Sequence, residues 1–257
     1  MTLTNQYPSL KGKTVFISGG GSGIGASLVE SFFRQGSKVA FVDIQEDTSL
    51  ALVERLRQEP GAAGSVHFYP CDLLDIEKLQ NTIERAAGEL GPISVLINNA
   101  ANDNRHDFRQ VTPEQWDQCT AVNLRHQFFA AQAVYPQMKQ LGGGSIVNFG
   151  SMSWHAGQGG MPGYTSSKAA IEGLTRGLAR DMGPDKIRVN TLVPGWVMTE
   201  KQLRERVDEN TAVEIDRNQS LKERLIPENI SAMVLFLASD DSCMCTAQNF
   251  IVDGGWI

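Results

Sequence analysis

A tyrosine and a lysine four residues apart, Tyr164 and Lys168, are the residues whose types and spacing most directly indicate chemistry. Residues four apart lie on one face of a helix, so the phenol and the ammonium group would be neighbours. An adjacent cation favours the phenolate and lowers a tyrosine pKa by roughly 1 to 3 units from its usual value near 10. The pair could therefore supply a general base near neutral pH, although such a pair by itself is more often an exposed helix face.

The glycine-rich stretch at residues 19–25 predicts a phosphate-binding loop. It follows a short apolar run at residues 15–17, which is typical of a buried strand, and it leads into a segment with apolar residues every four positions, as in a helix. Glycines let the backbone approach a pyrophosphate closely, and a helix N-terminus offers free N–H groups. A dinucleotide cofactor is therefore expected at this point of the chain.

An acidic residue follows the next predicted strand. Residues 38–42 form a second apolar run, and Asp43 comes directly after it. In dinucleotide-binding folds, a carboxylate at about this distance from the glycine loop accepts hydrogen bonds from the adenosine ribose 2′-hydroxyl. A 2′-phosphate would meet like charge there, so the sequence predicts NAD rather than NADP.

Helix and strand patterns alternate along the chain, which predicts a single α/β domain. The length of 257 residues and the 41% hydrophobic content allow one large core, and no linker or repeat divides it. A capping box at residues 112–115 predicts a helix that carries Asn123, and Pro136 is expected to kink or end it. We expect a dinucleotide-binding half at about residues 11–110 and a catalytic half at about residues 111–257.

Charge and composition argue against several classes of function. The net charge of −6 is unlike a nucleic-acid surface, which needs clustered Lys and Arg. The N-terminal segment lacks the basic flank and apolar centre of a signal peptide, and no run approaches the ~20 apolar residues of a membrane span, so a cytoplasmic protein is expected. The four cysteines are scattered without the partners of a zinc site, so no metal is expected.

Together these features resemble the short-chain dehydrogenase/reductase family over essentially the whole chain. Residues 18–25 match its glycine motif with serine for the first threonine, and residues 98–101 match its Asn-Asn-Ala-Gly with a final alanine. The resemblance implies an α/β fold, namely a single Rossmann-like domain with a doubly wound parallel seven-stranded sheet and helices on both faces. It also implies an NAD-dependent oxidoreductase and a homotetramer, with residues 248–257 near a subunit interface. The spacing of the family's catalytic tetrad recurs in Asn123, Ser151, Tyr164 and Lys168.

The resemblance implies a role for each member of the tetrad. Tyr164 would accept the proton of the substrate hydroxyl, and Lys168 would lower its pKa and hydrogen-bond the nicotinamide ribose. Ser151 would orient the substrate oxygen. Asn123 would hold a water that links Lys168 to solvent, the alternative being a buried amide satisfied by the protein. The implied cofactor-binding residues are Gly19, Gly21, Ser22, Gly23, Ile24, Asp43, Ile44, Asp72, Leu73, Asn99, Ala100, Ala101, Tyr164, Lys168, Pro194, Gly195, Val197 and Thr199.

Three stretches at predicted strand ends are candidates for the substrate pocket: residues 102–106, residues 154–155 and residues 196–198. Their amides, carboxylate, imidazoles and indoles suit a polyhydroxylated ring, which needs directional hydrogen bonds and flat apolar faces. With residues 7–13 and 148–155, they also resemble bacterial D-xylose and other aldose 1-dehydrogenases. The expected substrate-binding residues are Asn102, Asp103, Ser151, Ser153, Trp154, His155, Tyr164 and Trp196.

The expected reaction is the NAD-dependent oxidation of an aldopyranose at C1 to the aldonolactone, with D-xylose or L-arabinose as the best candidates. Other substrates stay open, namely L-fucose, D-galactose, a polyol, an oxoacyl compound or a steroid. A non-catalytic NAD-sensing protein on the same fold is a further alternative, which the intact tetrad argues against. The segment at residues 196–224 is expected to cover the pocket with amphipathic helices, either as a solvated surface or as a mobile lid.

Overall fold

The computed structural model describes residues 5–60 and 64–257, and the predicted alternation of strands and helices is confirmed. Residues 1–4, which begin the segment expected to lack a signal peptide, lie outside the described residues. The strands are β1 (Thr14–Ser18), β2 (Lys38–Asp43), β3 (Ser65–Pro70), β4 (Ile93–Asn98), β5 (Gly144–Phe149), β6 (Ile187–Pro194) and β7 (Asn249–Val252). The α-helices are α1 (Gly23–Arg34), α2 (Glu46–Arg57), α3 (Ile76–Leu90), α4 (Pro113–Thr120), α5 (His126–Gln140), α6 (Pro162–Met182), α7 (Glu200–Glu205), α8 (Glu209–Asn218) and α9 (Pro227–Ala238).

The seven strands form one parallel sheet in the order β3-β2-β1-β4-β5-β6-β7. Alternate strand residues face opposite sides of a sheet. Val15 and Ile17 accordingly belong to a core formed with α1, α2 and α9, whereas Phe16 belongs to a second core formed with α3, α5 and α6. Because helices cover both faces, the strands are almost continuously apolar. The predicted doubly wound, seven-stranded sheet is confirmed.

The strand order reverses at β1, which pairs with β2 on one side and with β4 on the other. In open α/β sheets, a crevice for ligands forms outside the carboxyl ends of the strands at such a point. The glycine-rich loop after β1 and the segments that follow β4, β5 and β6 therefore meet at one edge of the sheet. This edge is where the candidate site residues collect.

The helical segment that carries Asn123 begins at the predicted capping box and continues past Pro136. Thr112 and Gln115 form the reciprocal capping box, with N···O distances of 3.2 and 3.0 Å. Ala121–Arg125 then form a π-helical turn, which the sequence pattern did not indicate, before α5 begins. Helix α5 continues for about one turn past Pro136 and ends at Gln140, and a kink at the proline stays a prediction. Burial of α5 side chains before and after the proline stabilises the helix against the loss of one backbone hydrogen bond.

The charged segment after β6 forms two short helices, α7 and α8, as its amphipathic pattern predicted. Whether this segment moves stays a prediction. Within residues 5–60 and 64–257, no helix has the length and apolar character to span a membrane. The same residues contain no group of three or more His, Cys, Asp or Glu side chains arranged to hold a metal ion.

Candidate active site

Helix α6 brings Tyr164 and Lys168 to the carboxyl end of β5. The Lys168 side chain is only 1% exposed, and its Nζ donates a hydrogen bond of 2.7 Å to the backbone carbonyl of Phe149, the last residue of β5. The same Nζ lies 5.5 Å from the centre of the Tyr164 ring. The two residues are therefore neighbours on one helix face, as their spacing predicts.

Burial dominates the protonation of this pair. It raises the pKa of Tyr164 to about 12, although the neighbouring Ser151 hydroxyl acts in the opposite direction. Burial also lowers the pKa of Lys168 to about 7, because an ammonium group held away from water is disfavoured. Burial therefore determines the direction for Tyr164, whose pKa is raised overall, and the lowering expected from Lys168 stays a prediction. Spacing alone placed the lysine correctly but did not reveal that Lys168 is removed from water while Tyr164 is half-buried beside the cleft.

Two serines follow β5 and reach the same place. The Ser151 hydroxyl donates a 2.9 Å hydrogen bond to the Ser153 hydroxyl, and the Ser153 backbone N–H donates to Ser151 Oγ at 3.1 Å. Both side chains are buried. These bonds fix the Ser151 hydroxyl beside the phenol of Tyr164, where a substrate oxygen could contact both.

The carboxamide of Asn123 is fully buried and is bound by the protein itself. Its Oδ1 accepts from the Asn102 backbone N–H at 2.8 Å, and its Nδ2 donates to the carbonyls of Asn102 and Cys119 at 3.1 and 3.0 Å. This arrangement is the satisfied buried amide that the sequence left open as the alternative. A water held by Asn123 stays a prediction.

The glycine-rich loop after β1 is shaped to approach a phosphate group. Gly19 has a positive φ of 69°, and a Cβ on Gly25 would lie 1.8 Å from the Gly19 carbonyl oxygen, so neither position readily accepts a side chain. The amide of Asn99 holds the loop by donating to the Gly19 carbonyl at 2.8 Å. The N-cap of α1, Ser22, makes no side-chain capping bond, and the first turn of α1 contains no acidic residue. Its free N–H groups and positive dipole end fit a pyrophosphate.

Asp43 lies against this loop. Its Oδ2 accepts a 2.8 Å hydrogen bond from the Gly21 backbone N–H, and its Oδ1 accepts a 2.9 Å bond from Gln45 N–H. The carboxylate is buried, and each oxygen keeps a lone pair for a further donor. The residues therefore fit the adenosine ribose of a dinucleotide cofactor.

The other predicted cofactor residues lie at the same edge of the sheet, in the segments that follow β1, β2, β3, β4 and β6. Thr199 caps α7 by accepting from Gln202 N–H at 3.2 Å, and it also packs against the loop, since a Cβ on Gly23 would lie 3.2 Å from its methyl group. Val197 is buried, whereas Ile44 is 70% exposed beside Asp43. The further members of this set are Ile24, Asp72, Leu73, Ala100, Ala101, Pro194 and Gly195.

A cleft of about 240 Å³ opens beside Tyr164. Five of the residues predicted to bind the substrate line this cleft, namely Asp103, Ser151, Ser153, Tyr164 and Trp196. The sequence analysis missed a second group of polar lining residues. These residues are Arg105, Gln158, Lys201 and Gln202. Arg105 lies in the loop after β4, and Lys201 and Gln202 lie in the charged segment after β6; both stretches were already candidates, so their position could have identified these three residues.

The side chains of Asp103, Lys201 and Gln202 connect the loop after β4 to α7. Asp103 Oδ1 accepts from Lys201 Nζ at 3.0 Å, and Asp103 Oδ2 accepts from Gln202 Nε2 at 3.1 Å. Burial opposes the charge of Asp103, but the hydrogen bonds and the charge of Lys201 outweigh it and hold the pKa of Asp103 below its usual value. The cleft therefore contains an ionised carboxylate with defined donors.

Trp154 and His155 do not line this cleft, contrary to expectation. The Trp154 indole N–H donates to Glu172 Oε1 at 3.2 Å, and His155 Nε2 lies 3.0 Å from the same oxygen. The two rings stack with centres 3.6 Å apart. A carboxylate on α6 thus satisfies both polar groups and draws them away from the substrate position.

Asn102 is also placed elsewhere. Its backbone is held by Asn123, and its side chain lines a separate cavity of about 300 Å³ that includes His106 and Trp116. Arg105 lines both this cavity and the cleft beside Tyr164. Because neighbouring residues of the loop point in opposite directions, Asp103 faces the cleft and Asn102 does not.

Replacing Lys168 with methionine should stabilise the folded chain at low pH while removing activity. The lysine pKa is lowered from 10.5 to about 7 on folding, so the cost of its buried charge is fully present below pH 7 and declines as pH rises toward 10.5. We expect urea denaturation to show that Lys168→Met raises the free energy of unfolding by on the order of 3 kcal/mol at pH 6, after the cost of leaving the Phe149 carbonyl unpaired is included. The increase at pH 10 should be much smaller. Lys11→Met, at an exposed position, should show no such trend. Equal gains for Lys168→Met at both pH values would contradict this reading.

Comparison with known proteins agrees with this geometry. The family described as enoyl-(acyl carrier protein) reductase matches residues 19–257. A D-xylose 1-dehydrogenase of Caulobacter vibrioides is 48% identical over 250 residues, covering 97% of this chain and 98% of that relative. A probable galactose dehydrogenase of Rhizobium meliloti is 46% identical over 256 residues, covering 99% of each. A 3-alpha-(or 20-beta)-hydroxysteroid dehydrogenase of Mycobacterium tuberculosis is 34% identical over 248 residues, covering 96% and 90%.

Solved structures give the same fold. A short-chain type dehydrogenase/reductase from Mycobacterium ulcerans superposes with a TM-score of 0.92 at 23% identity, covering 96% of this chain and 90% of that one. A putative short-chain alcohol dehydrogenase from Sinorhizobium meliloti superposes with a TM-score of 0.90 at 26% identity, covering 97% and 98%. The family match and the similarity to these relatives agree with the glycine-rich loop and the geometry of the tetrad. The chain therefore belongs to the short-chain dehydrogenase/reductase family of oxidoreductases.

Proposed function

We propose that this enzyme oxidises an aldopyranose at C1 to the aldonolactone with NAD as the hydride acceptor, a pentose such as D-xylose or L-arabinose being the best candidate. The observation that carries the proposal is the cleft beside Tyr164, in which a carboxylate, an ammonium group, an amide and an indole converge. The two relatives at 46–48% identity are named for sugars, which supports the same substrate class. The steroid relative is more distant, at 34% identity.

The polarity of the cleft favours a sugar over the alternative substrates. A steroid or an acyl chain would cover Asp103 and Lys201 without offering hydrogen bonds, and each buried polar group left unpaired costs roughly 1 to 3 kcal/mol. A linear polyol has more conformational freedom to lose on binding than a pyranose ring. The indole of Trp196 offers a flat apolar surface to the ring C–H groups. A non-catalytic NAD-sensing protein would have no use for Tyr164 at the cleft with the buried Lys168 beside it.

In the proposed mechanism, each tetrad residue has a role at a stated atom. Tyr164 Oη accepts the proton of the C1 hydroxyl as the phenolate, which is the minor form at its raised pKa, and Ser151 Oγ hydrogen-bonds the same oxygen and stabilises the phenolate. Lys168 Nζ can hold or release a proton near neutral pH because its pKa is about 7. Asn123 keeps the backbone of Asn102 in place below the cleft. The nicotinamide dinucleotide, when bound, supplies the hydride acceptor and a positive charge.

The cofactor would be held by the loop after β1 and the first turn of α1, with Asp43 at the ribose and Thr199 at the nicotinamide end. Homotetrameric assembly, a cytoplasmic location, residues 248–257 at a subunit interface and a mobile lid formed by α7 and α8 stay predictions. So does the division into a dinucleotide-binding half and a catalytic half. They rest on the family resemblance and on the sequence.

Pentoses should give NADH with this enzyme, and the product should be a lactone that hydrolyses to the acid. The test is to follow NADH formation with pentoses, hexoses, polyols and hydroxysteroids, and to assay the products. Tyr164→Phe serves as the control, because loss of the general base should reduce the rate at least ~100-fold while NAD binding measured by calorimetry persists. If aldoses gave no NADH while another class of alcohol was oxidised well, the sugar proposal would be wrong and the dehydrogenase assignment would stand.

NAD should be preferred over NADP by ~30- to 1000-fold in kcat/KM. A 2′-phosphate would lose the ribose hydrogen bond to Asp43 and face its carboxylate, with Glu46 and Asp47 of the first turn of α2 nearby. Asp43→Asn, which keeps an acceptor for Gly21 N–H but removes the charge, should narrow the preference. Glu54→Gln, further along α2, should leave it unchanged. Equal efficiency of the wild type with both cofactors would refute the assignment of Asp43.

A further inference from the structure

We propose that Gln202 is the positioning residue that sets sugar specificity, because its amide joins the two walls of the substrate cleft. This inference rests on the proposed function. Gln202 Nε2 donates to Asp103 Oδ2 at 3.1 Å, and Gln202 Oε1 accepts from the Trp196 indole N–H at 3.2 Å. Asp103 follows β4 and Trp196 follows β6, so one side chain of α7 connects two loops that are distant in sequence.

The bonding pattern allows one orientation of the amide. A carboxylate only accepts and an indole N–H only donates, so the amide nitrogen must face Asp103 and the amide oxygen must face Trp196. If the amide were rotated by 180°, its NH₂ group would face the indole N–H and its oxygen would face the Asp103 carboxylate, so both hydrogen bonds would be lost. The orientation of Gln202 is therefore set by both walls, and it in turn fixes their relative position.

Gln202 is itself held firmly at the start of α7. Its backbone N–H donates to the hydroxyl of Thr199, the N-cap residue, and its backbone carbonyl accepts from Arg206 N–H at 2.9 Å. Thr199 packs against the glycine-rich loop. The bridge from Asp103 to Trp196 is thus anchored to the part of the fold that would hold the cofactor.

The bridge leaves hydrogen-bonding capacity for a substrate. Lys201 Nζ uses one of its three donors on Asp103, and each Asp103 oxygen has a further lone pair. The indole, fixed through its N–H, presents a ring face of defined orientation. A pyranose meets an acceptor pair, a donor and a flat surface in fixed positions, which is the kind of arrangement that distinguishes one hydroxyl stereochemistry from another.

The test compares Gln202→Met with the wild type for several aldoses. Methionine keeps the length of the side chain but removes both the donor and the acceptor. We expect KM for the preferred sugar to rise about 10- to 100-fold, kcat to change less than about threefold, and the selectivity between pentoses and hexoses to shrink. The dissociation constant for NAD, measured by calorimetry, should stay within about twofold. Arg204→Gln, on the same helix and pointing to solvent, is the matched control and should behave as the wild type.

A double-mutant cycle separates positioning from a general loss of structure. Trp196→Phe keeps an aromatic ring but lacks the N–H, so it breaks only one end of the bridge. If Gln202 acts through Trp196, the effects of Trp196→Phe and Gln202→Met on KM should be clearly less than additive. Gln202→Glu retains the acceptor for Trp196 but brings a second carboxylate to Asp103, and it should also raise KM; it provides the measurement if Gln202→Met does not fold.

Three outcomes would overturn the inference. If the wild type oxidised aldoses and Gln202→Met had the same KM and selectivity as the wild type, the positioning role of Gln202 would be excluded and the proposed function would stand. Fully additive effects with Trp196→Phe would show that Gln202 does not act through the indole. A wild type without activity on any aldose would overturn both this inference and the proposed function.

Discussion

The burial of a lysine ammonium group beside a tyrosine is the constraint on which the rest of the site depends. Lys168 is almost inaccessible to water, and the bond recorded for its Nζ among the described residues goes to a neutral backbone carbonyl rather than to a carboxylate. Burying a cation in this way is unfavourable, and the hydrogen bond to the Phe149 carbonyl offsets only part of the cost. The result is a lysine that titrates near neutral pH and a phenol that resists ionisation. The lysine suits proton exchange near neutral pH, whereas the phenol would need the positive charge of a bound nicotinamide to favour its phenolate before it could accept a proton.

The sheet determines where this pair meets its partners. Reversal of the strand order at β1 places the glycine-rich loop, Asp43, Ser151 and the start of α7 around one crevice. Two side chains hold the glycine-rich loop of the cofactor half: Asn99 donates to the Gly19 carbonyl, and Asp43 accepts from the Gly21 backbone N–H. The substrate half depends on longer side chains from α7, namely Lys201 and Gln202.

The sequence was sufficient for the features that depend on local spacing. The strands, the glycine-rich loop, the capping box of α4 and the placement of Tyr164 and Lys168 on one helix face all follow from patterns a few residues long. Features that depend on tertiary contacts were not predictable in this way. The ion pair of Asp103 joins residues 98 apart in the chain, and the removal of Trp154 and His155 from the cleft depends on Glu172, a residue of a different element. The effect of burial on the pKa of Tyr164 was not predictable for the same reason, because burial is not visible in a four-residue spacing.

The most direct test of this account is a spectroscopic titration of tyrosine ionisation in the wild type and in Tyr164→Phe, both without cofactor. Because burial raises the pKa of Tyr164 to about 12, the two proteins should ionise the same number of tyrosines as pH rises to about 10, and they should differ only above it. Circular dichroism over the same range would establish that both remain folded. An additional phenolate in the wild type with a pKa of roughly 8 would contradict the account, since the charge of Lys168 would then outweigh burial.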